Sequence, residues 1–230
     1  MAGHYIPNFS PDAREKGNDH VIIAFKRINS DGKEHWLNRL AVNLTKRSSD
    51  VYPCGQLAHV ELMFMDEMDG QWYRCSINKK TGTYDAKGNL TWKVGTVHYK
   101  QVNVESMADY DYFKYYVDRD KQQLMYKFCM THLEDEFNFW GYVLNFFIPF
   151  GKIGTKRYHE KLDRQQQKRS KWFCSELVVV ALQSAGEKPF KHLEARGISP
   201  NELYRIFSRL GNAYDGNTSV VSSPVSVINI

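Results

Sequence analysis

Two hydrophobic periodicities are segregated along this chain, and that segregation limits its fold more than any other feature. Short β-rich runs fill the first half and helix-periodic runs the second. VIIAF at 21–25 reads as a buried strand. LAHVELMFM at 57–65 and QWYRCSIN at 71–78 flank DEMDG at 66–70, a turn by composition, so the three read as a hairpin. Residues 79–89 hold Gly82 and Gly88 and read as a loop or second hairpin, and 94–104 reads as a further strand carrying Val94, Val97, Val102 and Val104. One early helix is expected over 33–44, with Trp36, Leu37, Leu40, Ala41 and Leu44 near one face.

Beyond Asp118 the pattern becomes helical. Leu124, Phe128, Cys129, His132 and Leu133 share a face of a first helix. Residues 137–148 form a second, aromatic helix that stops before Pro149, and 151–170 a polar connection. Residues 173–185 form a third helix with Gly186 as its C-cap. Ser199, Pro200 and Glu202 open a short last helix with a capping box. Strands followed by helices predict an α+β fold, an antiparallel sheet packed by helices on one side.

The 230 residues suit one domain, expected over 20–210, with 1–19 and 212–230 as flexible tails. The four cysteines, Cys54, Cys75, Cys129 and Cys174, form no CxxC pair and are too sparse for a disulfide scaffold, so a reducing compartment is expected. There is no apolar leader at the N-terminus and no apolar run of the ~18 residues a spanning helix needs, so the expected location is cytoplasmic. The net charge of +5 and the basic run at 164–171 read as a solvated face, and no nucleic-acid partner is expected. Cys129 and His132, three apart, lack further ligands and read as packing; neither metal nor cofactor is expected. FNFWGYVLNFFIPF at 137–150 reads as core or, alternatively, as an acyl-chain lining or a peripheral membrane contact.

The chemistry centres on WFCSELVVVALQSA at 172–185, where Cys174 opens a strongly apolar helix. Unpaired N–H groups and the helix dipole there favour a thiolate and can also bind an oxyanion. His59 is the candidate base: it begins the run HVELMF and shares a strand face with Glu61. Glu61 is a candidate to orient the imidazole. In a hairpin about DEMDG the residue across from His59 is Ile77, Ser76 or Cys75, so Ser76 is a second candidate, and Gln71 a third.

A histidine-initiated strand followed much later by FCSEL at the head of an apolar helix resembles the circularly permuted NlpC-type papain-like superfamily, in which His precedes Cys. HVELMF, CSI, GTVHY, WFCSELVVVAL and SPNELY resemble viral members in particular, over about residues 20 to 205. The resemblance implies a papain-like core in permuted order and a thiol hydrolase acting through an acyl-enzyme, in the host cytoplasm if viral. Lecithin:retinol acyltransferase relatives carry a second histidine on the next strand, which this chain lacks at Cys75, Ser76 and Ile77. The implied activity is that of a peptidase, amidase or thioesterase on a peptide, isopeptide or acyl-lipid substrate. The alternatives are a lipid acyltransferase and a non-catalytic binding protein on the same scaffold.

Overall fold

A computed structural model describes residues 20–28, 36–66, 68–77, 80–84, 90–103, 107, 109–138, 171–213 and 220–222. In chain order the elements are β1 (His20–Arg27), α1 (Trp36–Thr45), β2 (Leu57–Met65), β3 (Trp72–Ile77), β4 (Lys80–Tyr84), β5 (Leu90–Val94), β6 (Val97–Gln101) and β7 (Tyr110–Tyr116). They continue with α2 (Arg119–Thr131), β8 (Glu136–Phe137), β9 (Lys171–Trp172), α3 (Cys174–Ser184), α4 (Pro200–Ala213) and β10 (Val220–Ser222). Six strands form one antiparallel sheet in the order β10-β7-β1-β2-β3-β6. The fold is α+β. Among the described residues no helix is long and apolar enough to cross a membrane.

Alternation along the strands builds two unequal cores. Val21, Ile23 and Phe25 of β1 and Val60, Leu62 and Phe64 of β2 face the helices, against Met125 and Cys129 of α2, Leu177 and Val178 of α3 and Phe207 of α4. The opposite face carries a smaller cluster of Ile22, Ala24, Met63, Trp72, Met107, Tyr110 and Tyr112. The β2–β3 hairpin turns where DEMDG predicts: Asp66 N–H donates to the Gln71 carbonyl (2.8 Å), and Gly70 takes the left-handed φ of 68° that glycine accommodates.

Several elements depart from the sequence expectation. β7, YDYFKYY, was not expected: it is covered on both faces, so it lacks the alternation of a half-buried strand, and Asp111 and Lys114 interrupt its apolar run. The strand expected over 94–104 divides, with Val94 ending β5, paired to β4 as a second hairpin, and β6 starting at Val97. Gly95 marks the break, where its carbonyl accepts the Phe137 N–H (2.7 Å). On α2 the buried residues are Met125 and Cys129, while Leu124 is 48% exposed, so the core face is rotated from the expected one. Phe137 lies in β8 rather than in a helix; the rest of the expected aromatic helix and the polar connection, 139–170, lie outside the described residues, as do 1–19. The expected C-terminal tail begins too early: α4 runs to Ala213, and Val220–Ser222 pairs with β7.

The segment leading into β2 is held by α4. Asn201, fully buried, accepts from Gly55 N–H (2.9 Å) and Leu57 N–H (3.1 Å) and donates to Thr45 Oγ1 (2.8 Å). Arg205 grips both Asp50 carboxylate oxygens (2.7 and 2.6 Å) and donates to the Thr45 carbonyl (2.7 Å). The hydrogen bond from Arg205 holds the Asp50 pKa down at about 2, against the opposing effect of burial. Asn201→Ala strands two buried N–H groups and is predicted to cost about 1–3 kcal/mol. Urea unfolding checks this: the midpoint falls while the slope against denaturant is unchanged.

Candidate active site

The site forms where the β2–β3 hairpin opens beyond its last ladder pair. The ladder runs from Met65↔Trp72 to Leu62↔Cys75. Extended, this register sets Glu61 across from Ser76 and Val60 across from Ile77, so none of Ile77, Ser76 and Cys75, the partners expected from the sequence, lies directly opposite His59. Ser76 reaches the imidazole diagonally instead, a separation that cross-strand side chains on one face can span.

Cys174 is the first residue of α3, following Phe173 at the N-cap with extended backbone (φ −116°, ψ 165°) and no side-chain cap. No side chain therefore caps the first-turn N–H groups. The polar groups that act on the sulfur are the His59 ring and the Val60 and Ser175 backbone N–H groups. Burial pushes this thiol's pKa up, but the charge and hydrogen bond of His59, aided by the two amides, outweigh it and leave it below the ordinary value. The next two residues anchor the turn. Ser175 Oγ donates to the Ile198 carbonyl (2.5 Å), and buried Glu176 pairs with buried Arg196 (3.6 Å). On the preceding side Trp172 Nε1 donates to Asp135 Oδ2 (2.8 Å), which also binds His132 Nδ1 (2.7 Å). The CSE sequence is thus one thiol followed by two anchors.

His59 Nε2 contacts Ser76 Oγ (2.8 Å) and Glu61 Oε1 (3.2 Å). Ser76 Oγ donates to the same Glu61 oxygen (3.0 Å), as does Tyr110 OH (3.2 Å), and Arg74 Nη1 lies 3.6 Å from Glu61 Oε2. Burial alone would favour a neutral His59; the Cys174 thiolate and then Glu61 overcome it and push the imidazole pKa up to about 10. Burial likewise raises Glu61, but His59, Arg74 and Ser76 hold it down at about 2. The stabilisation from His59 is therefore complete below the ordinary imidazole range and is lost as pH rises through about 10, and that from Glu61 is present above the ordinary carboxylate range and lost as pH falls through about 2.

Of the three candidates for the third member, Glu61 and Ser76 both touch His59, whereas Gln71 sits at the turn end of the hairpin, accepting from Gln101 (3.5 Å). Arg74 and Tyr110 were missed. Arg74 was accessible, two residues before Ser76 on the same strand face; Tyr110 was not, because it lies on the strand whose periodicity was hidden. Cys129 turns into the core towards Cys75, and His132 turns away to Asp135. Among the described residues no group of three or more His, Cys, Asp or Glu side chains is arranged to hold a metal ion. No protein-family model, curated protein or solved structure matches the chain.

All four cysteines are buried, so thiolate character rather than exposure sets the order: with iodoacetamide limiting at pH 6, Cys174 is predicted to be alkylated before Cys54, Cys75 and Cys129. His59→Ala removes the cation and slows that labelling about tenfold for each pKa unit regained by the thiol. Peptide mapping by mass spectrometry reads both outcomes; equal labelling of all cysteines would contradict the assignment.

Proposed function

We propose that this chain belongs to the class of cysteine-nucleophile hydrolases, with Cys174 as nucleophile and His59 as base and then acid. Within that class, the order of His before Cys, with the histidine on a strand and the cysteine opening a helix, fits the permuted NlpC-type papain-like proteins. The observation that carries the reading is that Cys174 and His59 act on one another's ionisation, with His59 hydrogen-bonded in turn to Glu61 and Ser76. Attack of the thiolate on an acyl carbon forms a C–S bond and an oxyanion. That oxyanion is the kind of charge that backbone N–H groups at the head of a helix stabilise. On collapse the bond to the leaving group breaks, and imidazolium supplies its proton, giving an acyl-cysteine. Neutral His59 then takes a proton from water, whose oxygen attacks the thioester and releases acid and thiolate.

The substrate class is a peptide, isopeptide or acyl lipid; an acceptor other than water would turn the same cycle into acyl transfer. A reducing compartment such as the cytoplasm suits a free nucleophilic thiol. A second reading, a binding protein that keeps the pair for packing, draws on the 6% exposure of Cys174.

A panel of thioester and peptide substrates separates the two. Turnover and a trapped acyl adduct on Cys174 are expected in the wild type, and Cys174→Ala is expected to fall to background with its thermal midpoint within a few degrees of wild type. Glu61→Gln, which removes charge along with an acceptor, is expected to lose more than Ser76→Ala. Absence of any adduct from a panel that acylates other thiol hydrolases, with Cys174→Ala strongly destabilised, would favour the packing role.

A further inference from the structure

Glu61 carries its negative charge in a place where water cannot screen it, and its two oxygens are treated differently. Oε1 is shared by His59, Ser76 and Tyr110. Oε2 is buried and has no hydrogen-bond donor among the described residues; its electrostatic partner is the Arg74 guanidinium at 3.6 Å. Arg74 is itself largely enclosed, its side chain 23% exposed, and its Nε finds no acceptor among the described residues. Register explains the meeting, since residues 61 and 63 on β2 and 74 and 76 on β3 lie on one sheet face.

We propose that Arg74 is a positioning residue of this site: by holding Glu61 Oε2 it completes a row of alternating charges, Arg74–Glu61–His59–Cys174, that allows a thiolate and an imidazolium to coexist out of water. The inference rests on the hydrolase reading for its purpose, but not for its physics. With Arg74 the row is neutral; without it, one uncompensated negative charge is left in a buried site, and every group in the row binds protons more tightly.

Other charged and titratable groups face this row but cannot replace Arg74. On β1, Lys26 is the register partner of His59, with Nζ 6.0 Å from the centre of the Tyr110 ring, and it is partly exposed. On β6, His98 pairs with Ser76 and Lys100 with Arg74. Lys100 is exposed and therefore screened by solvent, and burial makes His98 harder to protonate. On β7, Tyr110 and Tyr112 are held protonated, chiefly by burial. Cys174 is the charged member contributed by α3.

The sign of the effect is testable. The alkylation rate of Cys174 by iodoacetamide, measured against pH, gives the ionisation of the thiol, and the NMR titration of the His59 ring gives that of the imidazole. In Arg74→Met both midpoints are expected to move to higher pH by about half a unit or more. Arg74→Gln, which keeps a polar side chain, is expected to move them likewise, and Arg74→Lys to restore wild-type positions, because it returns the charge. A residue that merely packs would lower rates or stability without moving either midpoint. Midpoints in Arg74→Met and Arg74→Gln that coincide with wild type would overturn the proposal. Failure of the hydrolase reading looks different: wild-type Cys174 reacts no faster than a denatured thiol and no substrate is turned over.

Discussion

A thiolate at 6% exposure has lost most of its hydration and persists only if fixed donors and an opposite charge replace it. In this molecule the groups that can replace it are local: the Val60 and Ser175 N–H groups and the His59 ring act on the sulfur, and the Glu61 carboxylate stands behind the ring. Glu61 has both the His59 ring and the Arg74 guanidinium within ion-pair reach. The arrangement requires a helix N-terminus to meet the open end of a hairpin, and much of the remaining architecture serves that meeting.

Three sets of contacts hold the two elements in place. The first turn of α3 is tied to the 195–198 segment through Ser175 and Glu176. The residue before its N-cap is tied by Trp172 to Asp135. The approach to β2 is tied by Asn201 and Arg205 of α4 to the 45–57 loop. Beneath these contacts, the apolar side chains of α3 pack on Val60, Leu62 and Ile77. A hydrophobic contact alone fixes neither register nor angle; the polar anchors supply both.

How much of this was legible in the sequence depended on whether the signal was local. The bounds of β2 and α3 follow from their own residues: LAHVELMFM forms a strand, and the apolar run after Phe173 ends at Gly186. The Ser199 cap is likewise local, and its hydroxyl accepts the Glu202 N–H at 3.1 Å. His59, Glu61 and Ser76 could be nominated because they lie within a single hairpin. Cys174 drew attention only because a thiol at a helix start has chemical meaning. Choosing between Glu61 and Ser76 was beyond sequence, and the structure gives both a place in one network. Tyr110 comes from β7, whose two buried faces erase the periodicity by which strands are recognised. The exposed Leu124 shows the same limit on a helix, since a one-position rotation of the apolar stripe is decided by neighbours outside it.

The proposed resting charge state is a Cys174 thiolate stabilised by a His59 imidazolium. The ultraviolet difference spectrum between wild type and Cys174→Ala, titrated with pH, reads the thiolate directly, without a substrate. Thiolate absorbance is expected to persist well below about pH 8.5, where an ordinary thiol loses it, and His59→Ala is expected to return the midpoint to that range. A thiolate signal that appears only above that range in the wild type would contradict it.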